Sequence, residues 1–221
     1  MNKPLDTLME HASQRLVDMD YLGSEALCLE GLAMARDAED WNAYARVLLP
    51  LQECRRQRRM IAADTAVTLG TNACWRDPRD GCVAVTRPLG RDDALRIMRD
   101  AANHQRHVEV LWCDNEPDAA TWTVRTAAGP AITCKVDAPH RDLINQRIAP
   151  DEHEGGHAAA HWFVAASEAL GDAALDAVTA PLGERARVEQ LEAMVAAVGD
   201  HEILHQRLAD AARALVPQPS A

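Results

Sequence analysis

CVAVTRPLGRDDALRIMRDAANHQRHVEVLWC, residues 82–113, sets two β-branched runs on either side of a helical segment. Its ends, Cys82–Thr86 and Val108–Cys113, are short and rich in Val and Thr, so both read as strands. Between them, Asp92–His104 lines up Leu95, Met98, Ala101 and Ala102 as an apolar stripe, with Asp92 or Asp93 placed as N-cap. A strand, a helix and a strand joined in this way predict a right-handed parallel crossover. This segment is the nucleus of a sheet.

Outward from it, Ala66–Leu69, Thr121–Thr126 and Ala131–Val136 repeat the strand composition. The polar breaks Asp114–Ala119 and Ala127–Pro130 suit antiparallel hairpins, so the predicted sheet is small and mixed. Before it, apolar residues recur at helical spacing: Leu5, Leu8, Ala12, Leu16; then Leu22, Ala26, Leu29, Ala33; then Tyr44, Val47, Leu48, Leu51. Short breaks at Asp18–Asp20 and Asp37–Asp40 make this a helical hairpin with an extra helix. After the sheet, helical patterns return over Leu143–Ile148, Ala158–Leu170, Val188–Val198 and Ile203–Leu215. Pro150, Gly155 with Gly156, Gly171, Pro181 with Gly183, and Gly199 mark the breaks. The fold class expected is α+β and mostly helical: a helical repeat-like region over 1–63, a small α/β domain over 64–137 and a C-terminal helical region over 138–221.

Composition supports a packed domain. Of 221 residues, 48% are hydrophobic but only 4% are aromatic, so the core must be built mainly from Leu, Val, Ile and Ala. The net charge of −11, from 34 acidic and 23 basic residues, disfavours nucleic acid as a partner. The N-terminal stretch has no apolar core of a leader peptide, and no apolar run reaches membrane length, so the expected setting is soluble and cytoplasmic without membrane contact. Cys28, Cys54, Cys74, Cys82, Cys113 and Cys134 include no C-x-x-C, and reduced, structural thiols are expected.

H-E-x-x-H occurs twice, at 153–157 and at 201–205. On a helix this spacing sets two imidazoles one turn apart with a carboxylate that can activate a metal-bound water. The candidate metal ligands are therefore His153, His157 and His161 in one segment, and His201 and His205 in the other. Each segment departs from the zinc-peptidase pattern. Gly155 and Gly156 interrupt the first, and Phe163 stands ten residues after His153, where a third ligand is usual. Glu168 lies about 16 Å along a helix axis from His157, too far to share an ion with it. In the second, Arg207 replaces an apolar residue, and Ala211 stands ten residues after His201. Zinc-dependent hydrolysis is accordingly the alternative function, and no cofactor the leading expectation.

Arg55, Arg56, Arg58 and Arg59 form the strongest cationic run, at the end of the third helix, where basic side chains oppose the helix dipole or meet carboxylates. The loop Arg87–Gly90 precedes a helix, where phosphate can bind at free N–H groups, so the stretch Arg87–Asp93 is an anion-site candidate, although G-x-G-x-x-G and G-K-[ST] are both absent. No serine lies in a G-x-S-x-G elbow, and Cys113 beside Asp114 lacks an identifiable histidine partner.

Trp41, Tyr44, Ala45 and Leu48 stand at the spacing of the first helix of a tetratricopeptide repeat, and residues 20–58 resemble that helical-repeat family. Gly23 and Leu27 suit the small and large positions of a preceding second helix, while Glu30 and Ala35 depart from the family's small residue and proline. Trp162, Ala165, Ala166 and Ala169 repeat the first-helix spacing. The resemblance implies a helical surface for a protein partner, with Trp41, Tyr44, Arg55, Arg56 and Arg59 as the interaction residues. A non-enzymatic interaction or scaffold module is the leading functional expectation.

Overall fold

The computed structural model describes residues 3–71, 79–151, 155–179 and 183–217. It is a mostly helical α+β fold. The helices are α1 (Lys3–Val17), α2 (Tyr21–Asp37), α3 (Trp41–Thr65), α4 (Arg91–Asn103), α5 (Gly156–Asp176), α6 (Glu184–Ala197) and α7 (Glu202–Ala214). The strands are β1 (Val67–Gly70), β2 (Gly81–Val85), β3 (Val108–Cys113), β4 (Thr121–Arg125), β5 (Thr133–Asp137) and β6 (Arg147–Ile148). No helix among the described residues is long and apolar enough to cross a membrane.

Two compact units emerge, Met1–Gln57 with Val178–Ala221, and Arg58–Ala177. These cut across the three consecutive regions read from composition. Helices α6 and α7 belong with the N-terminal helices, whereas α5 belongs with the sheet, because a strand-rich stretch leaves an apolar face that a helix must cover.

In the helical unit, one turn is used twice. Met19 and Glu39 take left-handed backbone, with φ of 61° and 51°, and the next residue, Asp20 or Asp40, caps the following helix. Asp20 Oδ1 accepts from Gly23 N and Asp40 Oδ1 from Ala43 N, both at 2.9 Å. The two polar breaks are thus paired stop and start signals. Helix α2 buries Ser24, Cys28, Gly31 and Ala35, a row of small side chains that lets α1 come close. A Cβ on Gly31 would lie 3.2 Å from Met9 Sδ, and Ser24 Oγ donates to the Ala12 carbonyl at 2.8 Å. The first helical hairpin is therefore held by close backbone approach more than by large side chains.

The other unit contains a mixed sheet in the order β5-β4-β3-β2-β1-β6. The crossover through α4 makes β2 and β3 parallel, and β3, β4 and β5 follow as antiparallel neighbours. Strand β2 is buried at every residue, as a central strand covered on both faces must be. Val83 and Val85 meet Ala94, Ile97 and Ala101 of α4. On alternate residues Cys82 and Ala84 face the other side, where α5 lies against the sheet.

Four sequence expectations change here. The buried stripe of α4 is Ala94, Ile97 and Ala101, whereas Met98 is 38% exposed. The α4 cap is Gly90, whose N–H donates to Asp93 Oδ2 at 2.9 Å, so Asp93 stands at N3 and reaches back. Leu143–Ile148 is not helical. A short 3-10 turn over Arg141–Leu143 ends at Asn145, with φ of 62°, and β6 then pairs antiparallel with β1. Asn145 N–H donates to the Leu69 carbonyl at 2.6 Å, and its Oδ1 accepts from Thr71 N and Oγ1, pinning the segment to the sheet edge. Finally, Gly171 lies buried inside α5, where packing outweighs a helix penalty of about 1 kcal/mol.

Candidate functional site

The second H-E-x-x-H segment lies in the helical unit. His201 is the N-cap of α7, with extended φ and ψ of −68° and 113°, and His205 is one turn inside the helix. Asp200, which the sequence suggests as cap, precedes the capping position and is buried. Both imidazoles are only 3% exposed. His205 Nδ1 lies 3.1 Å from the His201 carbonyl, which can only accept, so Nδ1 carries the proton and Nε2 keeps a lone pair. Among the described residues, Nε2 has no hydrogen-bond partner. Burial, with Arg55 and His201 as lesser contributors, pushes the His205 pKa down to about 4, so the ring is neutral at physiological pH. Glu202, the residue that would activate water, is exposed and accepts from Gln206 Nε2 at 2.8 Å. The segment's carboxylate and imidazoles therefore occupy different environments.

Arg55 anchors the turn that precedes these histidines. Its Nε donates to Glu25 Oε1 at 2.8 Å, and its terminal nitrogen Nη1 donates to the Gly199 and Val195 carbonyls at 3.0 and 3.3 Å. Those carbonyls stand at the end of α6, where the partial negative charge of the helix favours a guanidinium. Arg55 thus ties α2 and α3 to the turn that leads into His201.

The first segment sits in the other unit. His153 and Glu154 lie outside the described residues. His157 and His161 are on α5, one turn apart and exposed. The paired glycines have a packing role: a Cβ on Gly156 would stand 2.5 Å from the Ala149 carbonyl oxygen and 2.5 Å from Pro150 Cα. His161 borders a cavity of about 390 Å³ with His140, Pro139 and Trp162. His140 Nδ1 is 3.5 Å from Asp142 Oδ2, but both side chains are largely in solvent. Among the described residues no three His, Cys, Asp or Glu side chains stand together as a metal site would need.

The residues expected to form an interaction surface are mostly internal. Trp41 and Tyr44 are 6% and 3% exposed. Their rings lie 5.7 Å apart, Arg185 lies over Trp41, and Tyr44 Oη donates to Glu192 Oε1 at 2.7 Å. In a chain so poor in aromatics, these two rings are core anchors, because their large apolar area stabilises most when buried. The arginine run is divided among separate carboxylates. Arg55 meets Glu25, Arg56 meets Glu53, Arg58 meets Glu109 and Arg59 meets Glu168. Of the named arginines only Arg56 is well exposed, and its guanidinium holds the Glu53 carboxyl below the usual carboxylate range.

Two further sequence candidates are likewise occupied. At Arg87–Asp93, Asp93 already caps α4, Asp92 adds negative charge to the first turn, and Arg87 Nη2 pairs with Asp114 at 2.8 Å. Such a helix start repels an anion. Cys113 is fully buried, and burial pushes its thiol up, away from the nucleophilic thiolate. Trp162, the spacing match on α5, packs edge-on against Trp122 at 5.1 Å and donates to the Asp137 carbonyl at 2.8 Å.

One surface escaped sequence reasoning. Between α1 and α3 lies a groove of about 460 Å³ lined by Leu5, Met9, Leu16, Val47, Leu49 and Pro50. Leu49 is 72% exposed beside it, and Val17, at its extension along α1, is 75% exposed. Leu49 falls outside the apolar stripe of Tyr44, Val47, Leu48 and Leu51, and no sequence signal marked it as part of a surface. In comparisons with protein-family models, curated proteins and solved structures, nothing matches this chain.

Proposed function

We propose that this chain is a non-enzymatic, cytoplasmic protein-interaction module that binds its partner through the helical unit Met1–Gln57 with Val178–Ala221. The observation that carries this is the α1–α3 groove, where Leu49 is exposed beside an apolar floor that no described residue covers. Large exposed apolar side chains gathered at one concave place mark interaction sites far more than scattered ones do. Among the described residues of this unit, His205 is buried and neutral, Glu202 faces solvent and Arg55 is held by Glu25, which favours a binding role over a reactive one.

A photo-crosslinking residue at position 49, introduced into the full chain in its native cell, tests the proposal. A discrete crosslinked product is expected from position 49 and not from position 29, since Leu29 is exposed on α2 outside the groove. Absence of any product specific to position 49 would overturn it.

A further inference from the structure

Charge surrounds the apolar groove. Asp6 and Glu10 of α1 and Glu53 of α3 line it or its extension, against one cation among the described residues, Arg46. Among the described residues Asp6, Glu10 and Arg46 form no salt bridge, whereas Glu53 is paired with Arg56.

An apolar floor edged by two carboxylates without ion-pair partners among the described residues suits an amphipathic helix with Lys or Arg on its polar face. A second copy of this chain is a poor occupant. Its net charge of −11 opposes self-association, and its strongest cationic run is held in the four ion pairs described above. We infer that the groove between α1 and α3 binds a basic amphipathic helix of another protein. Its apolar side chains seat among Leu5, Met9, Leu16 and Leu49, and its Lys or Arg side chains lie over Asp6 and Glu10. This rests on the interaction proposed above and adds the chemistry of the partner.

Two synthetic helical peptides of about 18 residues, identical in a Leu and Met face but carrying Lys or Glu at the polar positions, are the probes. Each is titrated by fluorescence anisotropy against the full chain, at about 50 mM and about 500 mM salt. The Lys peptide is expected to bind at least about tenfold more tightly at low salt, with the difference shrinking at high salt. Leu49→Asp should weaken it about tenfold or more, and Asp6→Lys with Glu10→Lys should reverse the preference toward the Glu peptide. Circular-dichroism melting of the variants confirms that these exposed or unpaired positions leave the fold intact. Equal binding of both peptides that still depends on Leu49 would overturn the charge inference and leave the interaction proposal standing. No binding, or binding indifferent to Leu49→Asp, would overturn the inference, and crosslinking from position 49 then decides separately whether the interaction proposal falls as well.

Discussion

His157 and His205 are the second histidines of two segments that share the H-E-x-x-H pattern, yet one is exposed on α5 and the other is buried on α7. In the 201–205 segment the first histidine ends a turn held by Arg55, and the second donates back to it, so the pair serves the joint between α6 and α7. In the 153–157 segment Gly156 serves the close passage of the α5 start past Ala149 and Pro150, and Gly155 stands close to the Leu143 side chain. The same letters thus meet different demands, because burial and neighbours, and not spacing alone, decide what an imidazole can do.

The largest test of this contrast is Arg55→Ala. It removes a partner of the half-buried Glu25 carboxylate and two carbonyl contacts, and breaking such a buried pair costs about 3–5 kcal/mol. Denaturant unfolding should register that loss; a change under about 1 kcal/mol would remove Arg55 as the support of the 201–205 segment.

Acid is the second test. His205 titrates near 6.5 when unfolded and at about 4 when folded, since burial resists its charged form. Between those values the unfolded chain binds the extra proton, so stability is full above about pH 6.5 and falls as pH drops toward about 4. The loss from this one group is on the order of 3 kcal/mol. His205→Leu should flatten that part of the pH profile while leaving stability at pH 8 within about 1 kcal/mol, as the net worth of the single Nδ1 bond implies. An unchanged acid slope in the variant would place the titrating group elsewhere.

A smaller effect is expected at the other segment's glycine. Gly156→Ala drives a Cβ into the backbone of Ala149 and Pro150, at a cost of about 1–3 kcal/mol that exceeds the gain in helix propensity. Thermal melting should show the loss; equal or higher stability would mean that the close passage relaxes freely. Smallest of all, His157→Ala and His161→Ala should each change stability by less than about 0.5 kcal/mol, because both imidazoles are exposed. Added zinc should not raise the melting temperature of the parent chain. A rise abolished by His157→Ala would instead assign a metal to the exposed segment.

Much of the fold was legible because it follows local rules. The helix breaks at Asp20 and Asp40 are caps, the strand runs lie within a residue or two of β1 to β5, and the α4 crossover is parallel. Less legible were the features set by distant partners. β6 depends on the bonds of Asn145 to Leu69 and Thr71, and the choice of β2 as the parallel neighbour of β1 is not specified by strand composition. The apolar groove was hidden for a related reason. Leu49 lies off the stripe of Tyr44, Val47, Leu48 and Leu51, about 100° around the helix from Leu48, and only packing sets its 72% exposure at the edge of an apolar groove.

The sequence by itself determined the helical and strand periodicities, the polar breaks at Asp20 and Asp40 and the mixed α+β class, because these arise from backbone preferences and the burial of apolar side chains near in the chain. Tertiary structure alone decided which charges are paired, which imidazoles are dry, and which leucine stands in water. Those outcomes depend on residues far apart in sequence: Arg55 with Glu25 and Gly199, Tyr44 with Glu192, and α1 with α3 around Leu49. The electrostatic and solvation energies that govern them are set by distance and burial in space.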